Sequence, residues 1–324
     1  MIVDRLQPSP EVARAVLEGR PVVALESTLI SHGLPYPQNL DVARASEAAV
    51  RESGAVPATV AIHDGRVLVG LDESSLEALA TAPPGSVLKA ARPSLAVALA
   101  AGGWAATTVS ATMIAAHAAG IRVFATGGIG GVHRGALGGS SPGAGPTTAP
   151  TAPTPPTAPT LDISSDLEEL GRTPVVVVCA GPKAILDVPA TLEYLETRGV
   201  PVVTIGGADL PGFYARSSGL PSPQSTPDVS GAAAIARVQL DLGLGGILIC
   251  TPVPEAEALP DDAARAAVQQ AVREADAAAI HGPATTPWLL ARIAAITDGA
   301  SIRANTALII NDARVAGELA LALA

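Results

Sequence analysis

Aromatic residues and cysteines are scarce in this sequence. Phe, Trp and Tyr together make up 2 % of the 324 residues, and the two cysteines are Cys179 and Cys250. Each cysteine lies in an apolar run, VVVVCAG or GILICTP, so we interpret both as buried strand residues rather than as a disulfide or metal ligands. Ala, Val, Leu and Gly dominate instead, which favours close packing of helices on a sheet through small side chains.

Long apolar runs, the pattern of a signal peptide in the first residues and an excess of positive charge are not found in the sequence. No run of about 18 or more apolar residues is free of charges or helix breakers, which argues against a membrane span. The N-terminus MIVDRLQPSP lacks the basic start and apolar stretch of a signal peptide, so we expect a cytoplasmic protein. The net charge of −10 argues against a nucleic-acid partner, although a local basic pocket can still bind a small anionic substrate.

What the sequence does contain is an alternation of strand and helix patterns. Hydrophobic residues make up 48 % of the chain, which is enough for a sizeable core. β-branched runs such as 107–112, 123–128, 175–181 and 201–207 alternate with helical segments, while 58–70 has the pattern of a hairpin. The pattern predicts an α/β fold with a mostly parallel sheet, helices on both faces and a helical C-terminal part.

One segment interrupts this pattern. Residues 137–160 carry no charge and, beyond Leu137, no large apolar side chain, and they are rich in Pro, Thr and Ala. Such a segment cannot bury enough apolar area to offset the entropy lost on ordering. We therefore interpret residues 1–324 as one domain with a disordered surface insertion at 137–160, and a proline-rich docking site is the alternative.

Charged residues lie at or near the ends of several predicted strands. Ligands of open parallel sheets bind beyond the carboxyl ends of the strands, so residues there are candidates for a site. Glu26 follows VVAL, Lys89 lies in VLKAA, and Lys183 follows VVVVCAG. Each also has an ordinary interpretation, because Glu26 and Lys183 can be solvent-facing charges and Lys89 can be a buried lysine that needs a partner.

Other candidates are less specific. Asp162 and Ser164 fit a helix N-cap before DLEEL, and the glycine run TGGIGG (126–131) fits a turn as well as a phosphate-binding loop. Neither a Walker A motif nor a G-x-S-x-G element is present. Three basic residues either contact an anion or belong to loops, and they lack the spacing of zinc ligands: His32, His133 and Arg134.

Several long strings resemble those of pseudouridine-5'-phosphate glycosidases, the indigoidine synthase A-like family. The resemblance covers nearly the whole chain in order, and its strings are ALESTLISHGLPYPQNL (24–40), ATVAIHDGRVLVGL (58–71), TTVSATMIAAHAAGIRVFATGGIGGVHRGA (107–136), DISSDLEEL (162–170), VVVVCAGPKAILDVPATLEYLETRGVPV (175–202), TPWLLARIAAIT (286–297) and SIRANTALIINDA (301–313). It implies a three-layer α/β/α fold in a homotrimer. It also implies a reversible reaction in which pseudouridine 5'-phosphate and water give uracil and ribose 5-phosphate.

The resemblance further implies roles for individual residues. Glu26, in the A-L-E-S-T string, matches the proton donor, and Lys183, in V-C-A-G-x-K, matches the nucleophile. Asp162, the first aspartate of D-I-S-x-D, matches the ligand of a divalent metal, typically Mn²⁺ or another cation such as Mg²⁺. Asn305 is a further candidate for contact with uracil. The substrate-binding positions match Lys89, Val109, Ser164, Ser165 and Asp166.

The sequence departs from the family pattern in two places. The family pattern after the lysine of the third strand is V-S-R-R-D, whereas this chain has Ala-Ala-Arg-Pro-Ser at 90–94. The segment 137–160 also intervenes just before Asp162. The first departure keeps open a C-glycosyl synthase that joins ribose 5-phosphate to another aromatic acceptor. A non-catalytic sugar-phosphate-binding protein is a third interpretation, against which the presence of both Glu26 and Lys183 argues.

The implied chemistry explains why an acid and an amine are needed together. A C-glycosidic bond has no leaving heteroatom, so protonation of a leaving oxygen, as in O-glycosidases, cannot cleave it. Opening the sugar ring lets an amine capture C1' as an imine, which serves as an electron sink. We therefore expect Glu26 to act as acid and base and Lys183 to act covalently, with Lys89 and the metal supplying charge that favours a neutral amine.

Overall fold

The computed structural model describes residues 2–138, 159–278, 280 and 285–324. Within these ranges, eleven strands form one sheet. The predicted insertion at 137–160 lies outside the described residues from 139 to 158, so its disorder stays a prediction.

The strands are short, and their bounds are as follows. They are β1 (Leu6–Pro8), β2 (Val22–Leu25), β3 (Val56–His63), β4 (Arg66–Val69), β5 (Leu88–Ala90), β6 (Ala105–Thr107), β7 (Val123–Ala125), β8 (Val176–Cys179), β9 (Val202–Ile205), β10 (Gln224–Thr226) and β11 (Ile247–Cys250).

Most of the helices lie between strands, and the last three follow β11. They are α1 (Pro10–Leu17), α2 (Thr28–His32), α3 (Gln38–Glu52), α4 (Glu73–Ala80), α5 (Leu95–Ala101), α6 (Val109–Ala118), α7 (Ser165–Leu170), α8 (Val188–Thr197), α9 (Val229–Asp241), α10 (Asp261–Ala277), α11 (Thr285–Ile296) and α12 (Ala300–Leu323). The predicted helical C-terminal part is confirmed by α10, α11 and α12.

The sheet is mostly parallel, as the sequence predicts. Its order is β1-β4-β3-β2-β7-β8-β11-β9-β10, and all neighbours from β3 to β10 along this order are parallel. The predicted hairpin is the antiparallel pair β3–β4, whose turn places Asp64 at φ 48° and Gly65 at φ 68°. Strand β6 pairs with β3 antiparallel and with β5 parallel, so β5 lies beside the main order of strands.

Side chains of the central strands alternate between two buried faces. In β8, Val176 and Val178 pack with α3, α9 and α12, while Val177 and Cys179 pack on the other face with α6, α7 and α8. This period of two, with both faces covered, is what parallel sheets require. The result is a three-layer α/β/α fold, in which Cys179 and Cys250 are free, buried strand residues as predicted.

One predicted strand is wrong. Residues 107–112 were expected to be extended, but β6 ends at Thr107 and α6 begins at Val109. Helix α6 is buried on nearly all sides and includes the buried polar residues Ser110 and Thr112, so its sequence shows no helical period of apolar residues. Strand β2, which contains the VVAL run before Glu26, ends at Leu25, and α2 begins at Thr28. Across the described part of the chain, no helix combines the length and the apolar character needed to cross a membrane.

Candidate active site

A cavity of about 260 Å³ lies beyond the carboxyl ends of β2, β7 and β8. Four of its lining residues are titratable groups singled out by the sequence, namely Glu26, His32 and the two lysines Lys89 and Lys183. The chain has no lysine other than these two. Another part of the wall comes from the C-terminal helices and one loop, and it includes Phe213, Thr286, Pro287, Leu290, Asn305 and Ile309.

Glu26 directly follows β2, and the residues after it are tied to two other strands. The Ser27 hydroxyl donates to the Val60 carbonyl at 2.6 Å, and the Thr107 N–H donates to the Ser27 hydroxyl at 2.9 Å. The Thr28 hydroxyl donates to the Thr107 carbonyl at 2.8 Å. Because these bonds join the end of β2 to the middle of β3 and to the end of β6, the backbone that carries Glu26 is firmly held.

The Glu26 carboxyl has the electrostatic surroundings of an acid that keeps its proton. Its side chain is half-buried where it borders the cavity, and desolvation raises its pKa above the usual value. The positive charge of Lys183, a hydrogen bond from Thr126 and the charge of Lys89 oppose this rise, whereas Asp166 adds to it. The balance favours the protonated form to a higher pH than in an ordinary glutamate.

Lys183 is placed by two loops that continue side by side beyond β7 and β8. The Ile129 N–H donates to the Gly181 carbonyl at 3.0 Å, and the Lys183 N–H donates to the Ile129 carbonyl at 3.2 Å. Gly181 has φ 96°, a conformation that glycine adopts without steric cost, and it turns the chain after β8. The two loops thus carry the half-buried Lys183 side chain to the cavity.

Lys89 brings a second amine to the same cavity from the middle of β5. Its side chain is partly exposed to solvent, yet desolvation lowers its pKa, and the positive charge of Lys183 lowers it further. The negative charges of Glu26 and Asp166 act in the opposite direction. Lys183 is therefore close enough to Glu26 and Lys89 for its charge to influence the protonation of both.

The predicted substrate-binding residues at 164–166 lie beside the cavity and do not line it. The Asp166 carboxylate accepts the Ser110 N–H and the Gly130 N–H, each at 3.0 Å. The Ser164 hydroxyl accepts the Asp166 N–H at 3.3 Å as the N-cap of α7, and the Ser165 hydroxyl lies 3.2 Å from that of Ser110. This network joins α7 to the start of α6 and to the glycine run, so the predicted substrate contacts stay predictions.

Val109 and Asp162 also lie outside the cavity lining. Val109 is the buried first residue of α6. Asp162 is exposed, and its carboxylate lies 3.8 Å from Nδ1 of His133. In the ranges that the structure describes, no group of three or more His, Cys, Asp or Glu side chains is placed to hold a metal ion. The hard oxygen of Asp162 suits Mn²⁺ or Mg²⁺, and such a cation would take most of its ligands from water.

The glycine run at 126–131 is not a turn. Its glycines have no positive φ, and Ile129 forms a parallel bridge with Pro182. Small residues are needed here because a Cβ on Gly128 would lie 2.6 Å from the Phe213 ring, and one on Gly130 would lie 2.6 Å from the Ser164 Cβ. The run is an extended segment against which the cavity wall and the start of α7 pack.

The three other basic candidates, His32, His133 and Arg134, do not share one site. His32 lines the cavity at the end of α2, where desolvation and the charge of Lys89 lower its pKa. The Arg134 guanidinium donates to the Ile185 carbonyl at 3.1 Å, so it supports the segment after Lys183. His133 faces Asp162.

The segment at 90–94, which departs from the family pattern, ends in a short 3₁₀ turn at Arg92–Ser94. The Ser94 hydroxyl accepts the Ala91 N–H at 3.0 Å, and the Arg92 N–H donates to the Ser110 hydroxyl at 3.1 Å. The Arg92 guanidinium pairs with the buried Glu169 carboxylate. The remaining arginine of this segment therefore joins β5 to α7.

Thr126 and Phe213 are site residues that the sequence reasoning missed. Thr126 follows β7 just as Glu26 follows β2, and this position at a strand end was an available signal. Phe213 lines the cavity with a backbone at φ 67°, which costs free energy in a non-glycine residue and has no local sequence signal.

Comparisons with known proteins agree on the family. Residues 11–322 match the family model described as indigoidine synthase A like protein. A pseudouridine-5'-phosphate glycosidase from Paracoccus denitrificans is 51 % identical over 317 residues, or 98 % of this chain and 97 % of that protein. The crystal structure of the prealnumycin C-glycosynthase AlnA in complex with ribulose 5-phosphate is 38 % identical with a TM-score of 0.84, covering 98 % of this chain and 96 % of that chain. An indigoidine synthase A-like protein from Thermotoga maritima is 30 % identical with a TM-score of 0.80, covering 97 % and 95 %. This chain belongs to the indigoidine synthase A like family.

Proposed function

We propose that this protein reversibly cleaves the C–C glycosidic bond of pseudouridine 5'-phosphate to give uracil and ribose 5-phosphate. The observation that carries the proposal is one cavity that holds an acid with a raised pKa, Glu26, and an amine, Lys183. The 51 % identity to a protein named for this activity, over nearly the full length of both chains, supports it.

The proposed reaction needs both groups. Glu26 gives a proton to the ring oxygen as the C1'–O bond breaks, and the Lys183 amine bonds to C1' and loses a proton to the Glu26 carboxylate. The proton that Glu26 has regained then adds to C5 of uracil, and Glu26 takes a proton back from the lysine nitrogen when the imine is hydrolysed. The nitrogen lone pair forms the C=N bond, and the electrons of the C1'–C5 bond return to the uracil ring. Water hydrolyses the imine and releases ribose 5-phosphate and the free amine.

A C-glycosyl synthase that joins ribose 5-phosphate to another aromatic acceptor is the second candidate. The 38 % identity to a C-glycosynthase and the altered segment at 90–94 favour it. The higher identity to a glycosidase favours uracil. An acceptor screen with ribose 5-phosphate separates the two, because uracil should be used far faster than any other acceptor under the first proposal.

Borohydride trapping with ribose 5-phosphate tests the mechanism sharply, because the chain offers two lysine side chains. We expect reduction to fix one pentose phosphate on the peptide that contains Lys183, detected by mass mapping. Lys183→Arg should abolish the label, whereas Lys89→Arg, which also keeps the charge and removes the amine, should retain it. A label on Lys89, or no label with active enzyme, would overturn the assignment of Lys183.

We further propose that Asp162 holds one hydrated divalent cation, Mn²⁺ or Mg²⁺, which supplies positive charge for the phosphorylated substrate when bound. Its carboxylate is exposed and offers the hard oxygen that these ions prefer. Calorimetric titration of the chelator-treated protein with MnCl₂ should show one site, and Asp162→Asn should weaken it at least tenfold. Unchanged Mn²⁺ affinity in Asp162→Asn would contradict the assignment.

We also propose a cytoplasmic homotrimer whose ligands are small molecules and not nucleic acids. Exposed apolar side chains at the end of α9 and just after it, Val238 and Leu242, support burial between subunits, and the net charge of −10 argues against nucleic acid. Light scattering should give three times the chain mass of 32.2 kDa. A monomer at micromolar concentration would contradict the trimer.

A further inference from the structure

Thr126 lies at the end of β7, next to the end of β2 where Glu26 lies. Its N–H donates to the Val178 carbonyl at 3.0 Å, so its backbone still belongs to the hydrogen-bond ladder with β8. Its side chain is 4 % exposed, and its hydroxyl donates to Oε1 of Glu26. Within the described ranges, this hydroxyl is the hydrogen-bond partner of the Glu26 carboxyl.

We propose that Thr126 is a positioning residue, which holds Oε1 of Glu26 by its hydroxyl and leaves Oε2 to carry the proton exchanged with substrate. The inference rests on the proposed function, in which Glu26 is the acid and base. No ligand contact of Thr126 is required, because its effect passes through Glu26.

The rigidity of Thr126 supports this role. A β-branched side chain has few χ1 rotamers, and its backbone here is fixed by the sheet ladder. A donor fixed on a strand end orients the carboxyl before substrate arrives, so the reacting oxygen needs no reordering. A flexible residue at this position would hold the carboxyl less well, although it could form the same hydrogen bond.

The charges around Glu26 indicate what the hydroxyl does to the proton. Lys183 from the loop after β8, Lys89 from β5 and Asp166 from α7 face the carboxyl, and burial raises its pKa. The bond from Thr126 favours the ionised form and opposes that rise. Removal of the hydroxyl therefore raises the pKa of Glu26 further and makes its carboxylate a stronger base but its acid form a weaker donor.

Thr126→Val removes the hydroxyl and keeps the shape, and Thr126→Ser keeps the donor. The matched control is Thr204→Val, because the buried Thr204 in β9 donates to the Ser222 hydroxyl at 2.8 Å, outside the cavity lining. The first measurement is a ¹³C NMR titration of the labelled Glu26 carboxyl in the substrate-free protein, assigned by Glu26→Gln. The second is the pH dependence of kcat and kcat/KM with pseudouridine 5'-phosphate.

We expect Thr126→Val to raise the pKa of Glu26, to move the basic limb of the kcat/KM profile to higher pH, and to lower kcat by about tenfold or more. KM should change less than kcat. Thr126→Ser should restore both pH limbs, and Thr204→Val should leave them where they are in the wild type.

The outcomes separate this inference from the proposed function. An unchanged pKa and unchanged kcat in Thr126→Val would overturn the role of Thr126 and leave the glycosidase proposal intact. If Thr126→Val raises the pKa of Glu26 but the wild type does not cleave pseudouridine 5'-phosphate, the positioning of Glu26 by Thr126 is supported and the proposed function is rejected. Should Thr126→Val fail to fold, Thr126→Ala is measured in the same way, and a pKa equal to that of the wild type would again overturn the inference.

Discussion

Replacing Gly130 by alanine places a methyl group where the glycine run meets the start of α7. The new Cβ would lie 2.6 Å from the Ser164 Cβ and 2.9 Å from Oδ2 of Asp166, and closer still to the Ser164 hydroxyl. Real Cβ atoms do not approach other atoms so closely, so Ser164 and Asp166 must move. That shift strains the N-cap of α7 and the bonds from Asp166 to Ser110 and Gly130.

The expected cost follows from the two effects together. Overpacking of a well-packed site costs about 1–3 kcal/mol, and loss of an N-cap costs about 1 kcal/mol. We expect Gly130→Ala to lower the free energy of unfolding by about 2–4 kcal/mol. Because Ser164 and Asp166 are predicted substrate-binding residues, KM for pseudouridine 5'-phosphate should rise as well.

The assay is urea denaturation at a fixed protein concentration, together with steady-state kinetics. The matched control is Gly103→Ala, because Gly103 has no positive φ and a Cβ there would meet no atom within 4 Å. Gly130→Ala and Gly103→Ala with the same unfolding midpoint would refute the reasoning from close packing. A destabilised Gly130→Ala with unchanged KM would keep the packing argument and remove Ser164 and Asp166 from the substrate site.

Two further predictions concern the buried carboxyl groups of Asp312 and Glu169. Asp312 is fully buried, and its Oδ2 has no hydrogen-bond partner among the described residues. Burial raises its pKa well above 3.8, so the folded state keeps a proton that the unfolded chain loses as pH rises. The protonated Asp312 carboxyl therefore stabilises the fold fully at acid pH, and this stabilisation is lost as pH rises. The difference in unfolding free energy between the wild type and Asp312→Asn should fall by about 1.4 kcal/mol per pH unit above pH ~4. The Glu169 carboxylate is 1 % exposed and pairs with Arg92, which is 40 % exposed. Because Arg92→Met leaves this buried charge without its arginine, it should lower the free energy of unfolding by about 2 kcal/mol. Adding Glu169→Gln to Arg92→Met removes the charge and should recover part of the loss. A pH-independent difference in the first case, or no recovery in the second, would contradict these assignments.

Several features of the fold were predictable because they depend on local patterns. β-branched runs predict the central strands, and the turn residues of 63–65 predict the hairpin. The pattern failed at 107–112, where a helix buried on nearly all sides has no polar face to reveal its period. It failed again at the glycine run, whose glycines are needed for close approach and not for a turn.

For the candidate site, too, the sequence pointed to some residues at the cavity and to others that lie beside it. Position after a strand and the family strings pointed to Glu26 and Lys183, and the structure places both at one cavity. The residues around Asp166 were assigned from the same strings, but the structure places them in a network of backbone hydrogen bonds beside that cavity. Motif strings identify residues, and they carry no distances between them.

The sequence by itself determined the alternation of strands and helices and the family, and it pointed to Glu26 and Lys183 as the candidate acid and amine, because each of these signals lies in neighbouring residues. Only the tertiary structure decided which groups meet. Thr126 reaches Glu26 across 100 positions, and Asp166 reaches Ser110 across 56. Helix α12 brings Asn305 to the cavity from the far end of the chain. Such contacts arise from the order of strands in the sheet and from the helices that pack on it, and local periodicity does not encode them.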